Sequence, residues 1–245
     1  VVWYGRPLGS EFKSPFSPKE IEQFNLNYSL SFLINQKTSA EISITKSEHS
    51  NEHFRPDIID SRFLAAIKGN GGPDGNQTWN IFDSSQNPQS LIDYVRGAEI
   101  SSKLADLISI DGIFNTKIEG FNLAYGFQLN RENLDIFYDE ISRAEFDEDG
   151  KLIKTADLFF LGGGKNLSKS RKSNALFAEL EKDINENLDI SLAARFESMK
   201  NESSFDPKVS LKYLVSDSLT IRFSKGTAFS APSMAQMFSS EINLG

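Results

Sequence analysis

Apolar and polar residues alternate along most of this chain with a period of two, and that pattern restricts the fold more than any other feature. The run 188–192 sets Leu188, Ile190 and Leu192 against Asp189 and Ser191. The next sets Val209, Leu211, Tyr213 and Val215 against Lys208, Ser210 and Lys212, and the third sets Leu219, Ile221 and Phe223 against Thr220, Arg222 and Ser224. Side chains of a strand point alternately to opposite faces, so each run predicts a strand with one apolar and one wet face. Joined in order, the three form an antiparallel meander.

The same reading extends upstream. Strands are predicted over 24–34, 38–45, 104–114, 121–129 and 174–184, with Phe121, Leu123, Tyr125, Phe127 and Leu129 forming the cleanest apolar face. Residues 1–4 read as a strand remnant and 5–20, with Pro7, Pro15 and Pro18, as a loop. The stretch 46–98 is predicted to be irregular apart from two short helices, one over 60–67 with Asp60 as N-cap and Gly69 as its stop, the other over 90–95 stopped by Gly97. A second polar excursion over 139–170 carries a hairpin tip at 147–150.

Connections then sort by length. Short turns fall at 35–37, 117–120, 185–187 and 216–218, and longer connections at 5–20, 46–98, 139–170 and 201–204. In a meander, alternate connections emerge on the same side, so one end carries turns and the other carries loops. A transmembrane β-barrel has that asymmetry. Alternation alone also suits a soluble sandwich, whose apolar face meets a second sheet. Loop sorting, strand length and 20 Phe among 245 residues favour the barrel. Hydropathy does not oppose it: no run approaches the roughly 18 apolar residues of a membrane helix, whereas a barrel strand needs only about 9–11 alternating ones. The expected fold class is all-β, a partial transmembrane barrel meander of about eight whole strands with long extracellular loops and short periplasmic turns.

Net charge is −8, with no basic stripe to meet phosphates, which excludes a nucleic-acid partner. The absence of Cys removes disulfides, thiolate zinc sites and thiol catalysis. His49 and His53 with Glu48 and Glu52 are read as a polar loop base, because converging metal ligands would need a helix here. The run Gly69 to Gly75 follows no strand of a βαβ unit, and Gly162-Gly163-Gly164-Lys165 is followed by Asn166, so neither cradles a nucleotide. No catalytic arrangement, cofactor site or metal site is expected.

Residues 205–238 carry a more specific signal. Asp206-Pro207-Lys208 is followed by a tight turn, then by Leu219 to Lys225 and the motif Phe229-Ser230-Ala231-Pro232-Ser233. This resembles the late barrel of TonB-dependent outer-membrane receptors. Ala175-Leu176-Phe177-Ala178-Glu179-Leu180 looks like the matching earlier strand, Gly126 to Glu132 like one that precedes a long loop, and 88–97 like an extracellular segment of that family. The resemblance covers most of the chain and places Asp217-Ser218 at the periplasmic end and Pro232 at the outer surface. It implies a barrel of 22 strands around a plug, so residues 1–245 are expected to form an incomplete barrel domain without plug or closing strands.

The resemblance further implies a location in the outer membrane of a Gram-negative bacterium. It implies binding of a scarce nutrient, an iron chelate, vitamin or oligosaccharide, and its uptake when TonB moves the plug. Expected partners are therefore outer-membrane lipid, the plug, TonB and a small-molecule ligand. Phe54, Phe63, Trp79, Phe82, Tyr94, Phe159 and Phe160 are candidate ligand contacts in the outer loops, and Arg131, Arg195 and Arg222 candidate lumen charges. A passive porin-like channel and a soluble all-β binding module are the alternatives.

Overall fold

The computed structural model describes residues 16–200 and 202–238. The strand remnant at 1–4 and most of the loop at 5–20 lie outside them. Eight strands form one antiparallel sheet in the order β1-β2-β3-β4-β7-β8-β9-β10, a meander without crossover. They are β1 Lys19–Asn35, β2 Thr38–Ile58, β3 Arg96–Ile118, β4 Phe121–Tyr138, β7 Leu167–Asn185, β8 Leu188–Met199, β9 Glu202–Ser216 and β10 Leu219–Gly226. The sheet is open, with β1 and β10 at its edges. A separate hairpin of β5 Glu145–Phe146 and β6 Leu152–Lys154 lies between β4 and β7, its tip turning at Gly150 with φ 81°.

Direct cross-strand partners share a face, so the register defines both faces. One apolar row runs Ala40–Phe114–Tyr125–Ala178–Ala194–Pro207 across six strands. Tyr28, Leu30, Leu129, Leu192, Ile221 and Phe223 on this face are all exposed, and no element of the described residues covers it. So broad an apolar surface marks contact with a nonaqueous phase. On β4 it runs from Phe121 to Leu129, about 27 Å along the strand and roughly 20 Å along the normal at a barrel strand's tilt, near the height of an outer-membrane apolar band.

The glycines of β3 and β4 allow close packing on both faces. A Cβ on Gly112 would meet the Phe127 ring at 2.4 Å. One on Gly126 would stand 2.1 Å from the Gly112 carbonyl oxygen and 2.6 Å from the Phe177 ring.

Strands run well past the predicted ends. β2 continues to Ile58 and β3 begins at Arg96, so the irregular region expected over 46–98 shrinks to 59–95. Beyond Ile44 the formerly apolar face of β2 becomes Lys46, Glu48, Ser50 and Glu52. The alternation that identified the strand is lost there, yet its antiparallel pairing with β3 continues without a break to Ile58. The connection expected as a loop at 201–204 is instead confined between Met199 and Glu202, because both strands stay paired to that level. The turns at 36–37, 119–120, 186–187 and 217–218 lie together at the opposite end from 59–95 and 139–166.

Candidate functional site

The two long loops form a small folded body of their own. Helix α1 Asp60–Ile67 has Ile59, not Asp60, as its N-cap, and Gly69 takes the left-handed position after Lys68 with φ 83°. Helix α2 Gln89–Val95 passes directly into β3 without the expected Gly97 stop. Gly97 serves packing instead, since a Cβ there would meet Ile59 at 2.6 Å. Between the helices lies a core of Ile58, Phe63, Ala66, Trp79, Leu91, Ile92 and Val95.

Loop 139–166 closes on this core. The Phe63 ring packs edge-on against Trp79 at 5.6 Å and Phe159 at 5.4 Å. The Asp57 carboxylate accepts hydrogen bonds from the backbone N–H groups of Ile58 (2.7 Å), Phe160 (3.2 Å) and Leu161 (2.8 Å). Asp157 returns the contact, accepting from the Ser61 N–H at 2.7 Å and hydroxyl at 2.6 Å. Asp60 sits beside both carboxylates. Burial first, then the charges of Asp157 and Asp57, raise its pKa above the ordinary value. Buried Ser142 accepts from the Ile100 N–H at 2.8 Å and ties the second loop to β3.

This arrangement divides the predicted ligand contacts. Phe63 is 2% exposed and Trp79 4%. Both are therefore core residues of the loop body, a correction to their expected role. Tyr94 packs on that core beneath the Arg62 guanidinium. Phe82 is 94% exposed and Phe160 57%, and these two with Phe159 present aromatic surface at the loop end. Phe54 lies apart, on the β2 face that carries Ile44.

The polar face holds an ordered network. The Gln128 amide donates to Asp111 at 2.7 Å and accepts from the Arg195 guanidinium at 2.9 Å. Arg195 also donates to Glu197 at 3.2 Å. These bonds span β3 to β8 above buried Ala175, whose small side chain leaves room for the bridge. Arg222 is on the same face, opposite Lys212, whose ammonium is 2.6 Å from Asp189. Arg131 is not. It pairs with Ile108 and Lys172 on the face of Leu129 and Phe127, because its odd number places it in their row, and the expected lumen role is corrected.

Sequence reading missed a further contact on the polar face. After β10 the chain crosses back to β7, where Arg171, bonded to Glu132 at 2.9 Å, also donates to the Pro232 carbonyl at 2.7 Å. Helix α3 Met234–Phe238 follows, capped reciprocally by Ser233 and Gln236. Pro232 of the Phe-Ser-Ala-Pro-Ser motif thus docks on the sheet. His49 bonds Gln23 within the strands, and the described residues contain no cluster suited to a metal ion.

Residues 3–244 match the family model described as TonB dependent receptor-like, beta-barrel. The chain belongs to this family. Its apolar face is thereby the lipid face of a receptor barrel and its polar face the lumen wall, and barrels of the family are outer-membrane proteins of Gram-negative bacteria. Among solved structures, a mutant ferric enterobactin receptor from Pseudomonas aeruginosa is 12% identical with a TM-score of 0.46, over 90% of this chain and 35% of that one. The siderophore receptor PirA from Acinetobacter baumannii is 10% identical with a TM-score of 0.41, over 87% and 34%. The translocator domain of the autotransporter NalP from Neisseria meningitidis is 7% identical with a TM-score of 0.37, over 86% and 62%. The chain thus spans about a third of the length of the receptors it matches. No curated protein matches it.

Proposed function

We propose that this chain is the wall and outer recognition surface of a TonB-dependent receptor that takes up a scarce nutrient across the outer membrane. The match of residues 3–244 to the receptor barrel family carries this reading. The nutrient is an iron chelate, a vitamin or an oligosaccharide. Loops 59–95 and 139–166 form the extracellular surface, and Phe82, Phe159 and Phe160 offer it aromatic contacts. Tyr94 packs beneath this surface, whereas Phe54 lies apart on the face of Ile44. The lumen wall, with Arg195 held by Gln128 and Glu197 and with Arg222 near the periplasmic turns, faces a plug domain, and TonB acts through that plug. The chemistry is binding and gating rather than bond breaking.

The test expresses the full-length protein in cells and follows uptake of labelled ferric chelates, cobalamin and oligosaccharides, with and without a protonophore. Uptake of one class that stops when the proton gradient collapses is the expected result. Uptake that persists would assign a passive channel. Labelling of Phe82→Cys but not Glu186→Cys by an impermeant maleimide on intact cells is expected, and the reverse would invert the orientation.

A further inference from the structure

The exposed turn at 73–76 takes no part in the loop core. Four asparagines of the chain open an Asn-x-Ser/Thr triplet, the acceptor pattern for an N-linked glycan: Asn27, Asn76, Asn166 and Asn201. Only Asn76 has a carboxylate two residues before it, in Asp74-Gly75-Asn76-Gln77-Thr78, where the others have Asn25, Gly164 and Met199. Their surroundings divide them in the same way. Asn27 lies within β1, and its amide donates to the Thr45 hydroxyl at 2.7 Å. The Asn166 side chain accepts from the Tyr138 N–H at 2.7 Å, and Ser168 of its triplet is paired with Asp135 in the sheet. Asn201 lies outside the described residues. Asn76 stands at the tip of a turn closed by the Gly71 and Gln77 backbones, each N–H donating to the other's carbonyl at 2.9 Å. Asp74, Gly75, Asn76 and Thr78 are all exposed, and among the described residues no hydrogen bond holds the Asn76 amide. The space around it is open: beyond its chain neighbours, a Cβ on Gly75 would approach nothing closer than the Asn70 carbonyl at 3.9 Å.

We infer that Asn76 is the acceptor of an N-linked oligosaccharide, attached in the periplasm and displayed on the outer loops. This rests on the proposed export of the chain to the outer membrane, because the transfer takes place outside the cytoplasm. The co-reactant is a polyprenyl-diphosphate-linked oligosaccharide. The Asn76 amide nitrogen forms a bond to the anomeric carbon, and the bond from that carbon to the diphosphate oxygen breaks. Polyprenyl diphosphate leaves with the electron pair, and the nitrogen gives up one proton to a base of the transferase. The Thr78 hydroxyl anchors the triplet in the transferase, and the Asp74 carboxylate offers a cationic side chain of a bacterial transferase a second, charge-assisted contact. The closed turn does not present these residues in an accessible, extended pose, since Gly71 and Gln77 are bonded and the adjoining Trp79 is buried. Transfer therefore precedes closure of the loop body. The bulky polar product then fits the folded loop, because the tip that carries it faces solvent.

The full-length protein, purified from its own bacterium, would be denatured and digested with trypsin. Cleavage after Lys68 and Arg96 releases 69–96, which holds Asn76 and none of the other three triplets. This peptide should carry the added mass of an oligosaccharide, with fragment ions placing it on Asn76. N76Q, D74A and T78A, all at exposed positions, should yield the bare peptide. T78S keeps the hydroxyl and should stay modified. A bare 69–96 peptide from the natural protein, sugar retained in N76Q, or occupancy unchanged in D74A would overturn the site. Fractionation of the same cells separates the two readings. A protein found in the outer membrane with a bare peptide defeats the glycan site alone, whereas a protein retained in the cytoplasm defeats the outer-membrane reading as well.

Discussion

Replacing Asp57 with alanine should release loop 139–166 from the loop body while leaving the eight-stranded sheet intact. The carboxylate accepts one local N–H, from Ile58, and two from the other loop, from Phe160 and Leu161. Hydrogen bonds to a charged acceptor contribute about 1.5–3 kcal/mol each. Because Asp57 is buried, the desolvation of its charge offsets part of this, and the lower limit applies: about 3 kcal/mol for the two cross-loop bonds. That corresponds to roughly 100-fold faster amide exchange at Phe160 and Leu161 if exchange proceeds by local opening. Asparagine keeps one acceptor oxygen and should give roughly tenfold. Hydrogen–deuterium exchange with mass spectrometry on peptides covering 155–165 measures this, with β4 peptides as the internal reference. Unchanged protection at 155–165 in D57A would refute the claim that this carboxylate holds the loops together.

Three further outcomes follow from the same geometry. F63A removes the ring between Trp79 and Phe159 and should cost the loop body about 3–5 kcal/mol, red-shifting Trp79 fluorescence and opening 70–80 to protease while the barrel stays resistant. Asp60, with its pKa raised by burial and by Asp157 and Asp57, is favoured in its protonated form when the loops are docked. Docking should therefore tighten as pH falls through the raised value and weaken as pH rises; burial raises the pKa of Asp57 in the same direction, so D60N should remove only part of that dependence while protecting the loop at neutral pH. G126A should prevent barrel assembly, because its Cβ would meet the Gly112 carbonyl. F177A should not rescue it, since the backbone clash remains, and a heat-modifiable band in the double variant would contradict this.

Strand identity, order and the turn end were legible in the sequence wherever one face met lipid, since the phase change forces strict alternation. The upper halves of β2, β3 and β4 were not, because above the band both faces meet polar surroundings: at Lys46, Glu48 and Glu52 period two disappears although the ladder does not. Helix α1 was legible from Asp60 at its start and Gly69 after its end, although its N-cap is Ile59. The loop body was not, because its ties join residues about 100 positions apart, as Asp57 joins Phe160 and Leu161. Aromatic residue type marked Phe63 and Trp79 as ligand contacts, but type alone cannot separate a core ring from a surface one. Arg131 was misplaced for a simpler reason. Its number shares the parity of Leu129, and parity alone decides the face of a regular strand.

The central claim is that the alternation on β4 separates lipid from lumen. Spin labels placed singly at 122–125 and 127–129 in the full-length protein, leaving Gly126 intact because a Cβ there would meet the Gly112 carbonyl, and probed with oxygen and with a water-soluble nickel chelate, test it most directly. Oxygen maxima are expected at Leu123, Tyr125, Phe127 and Leu129, and nickel maxima at Asn122, Ala124 and Gln128. Nickel access at all seven positions without period two would show that this apolar face does not meet lipid.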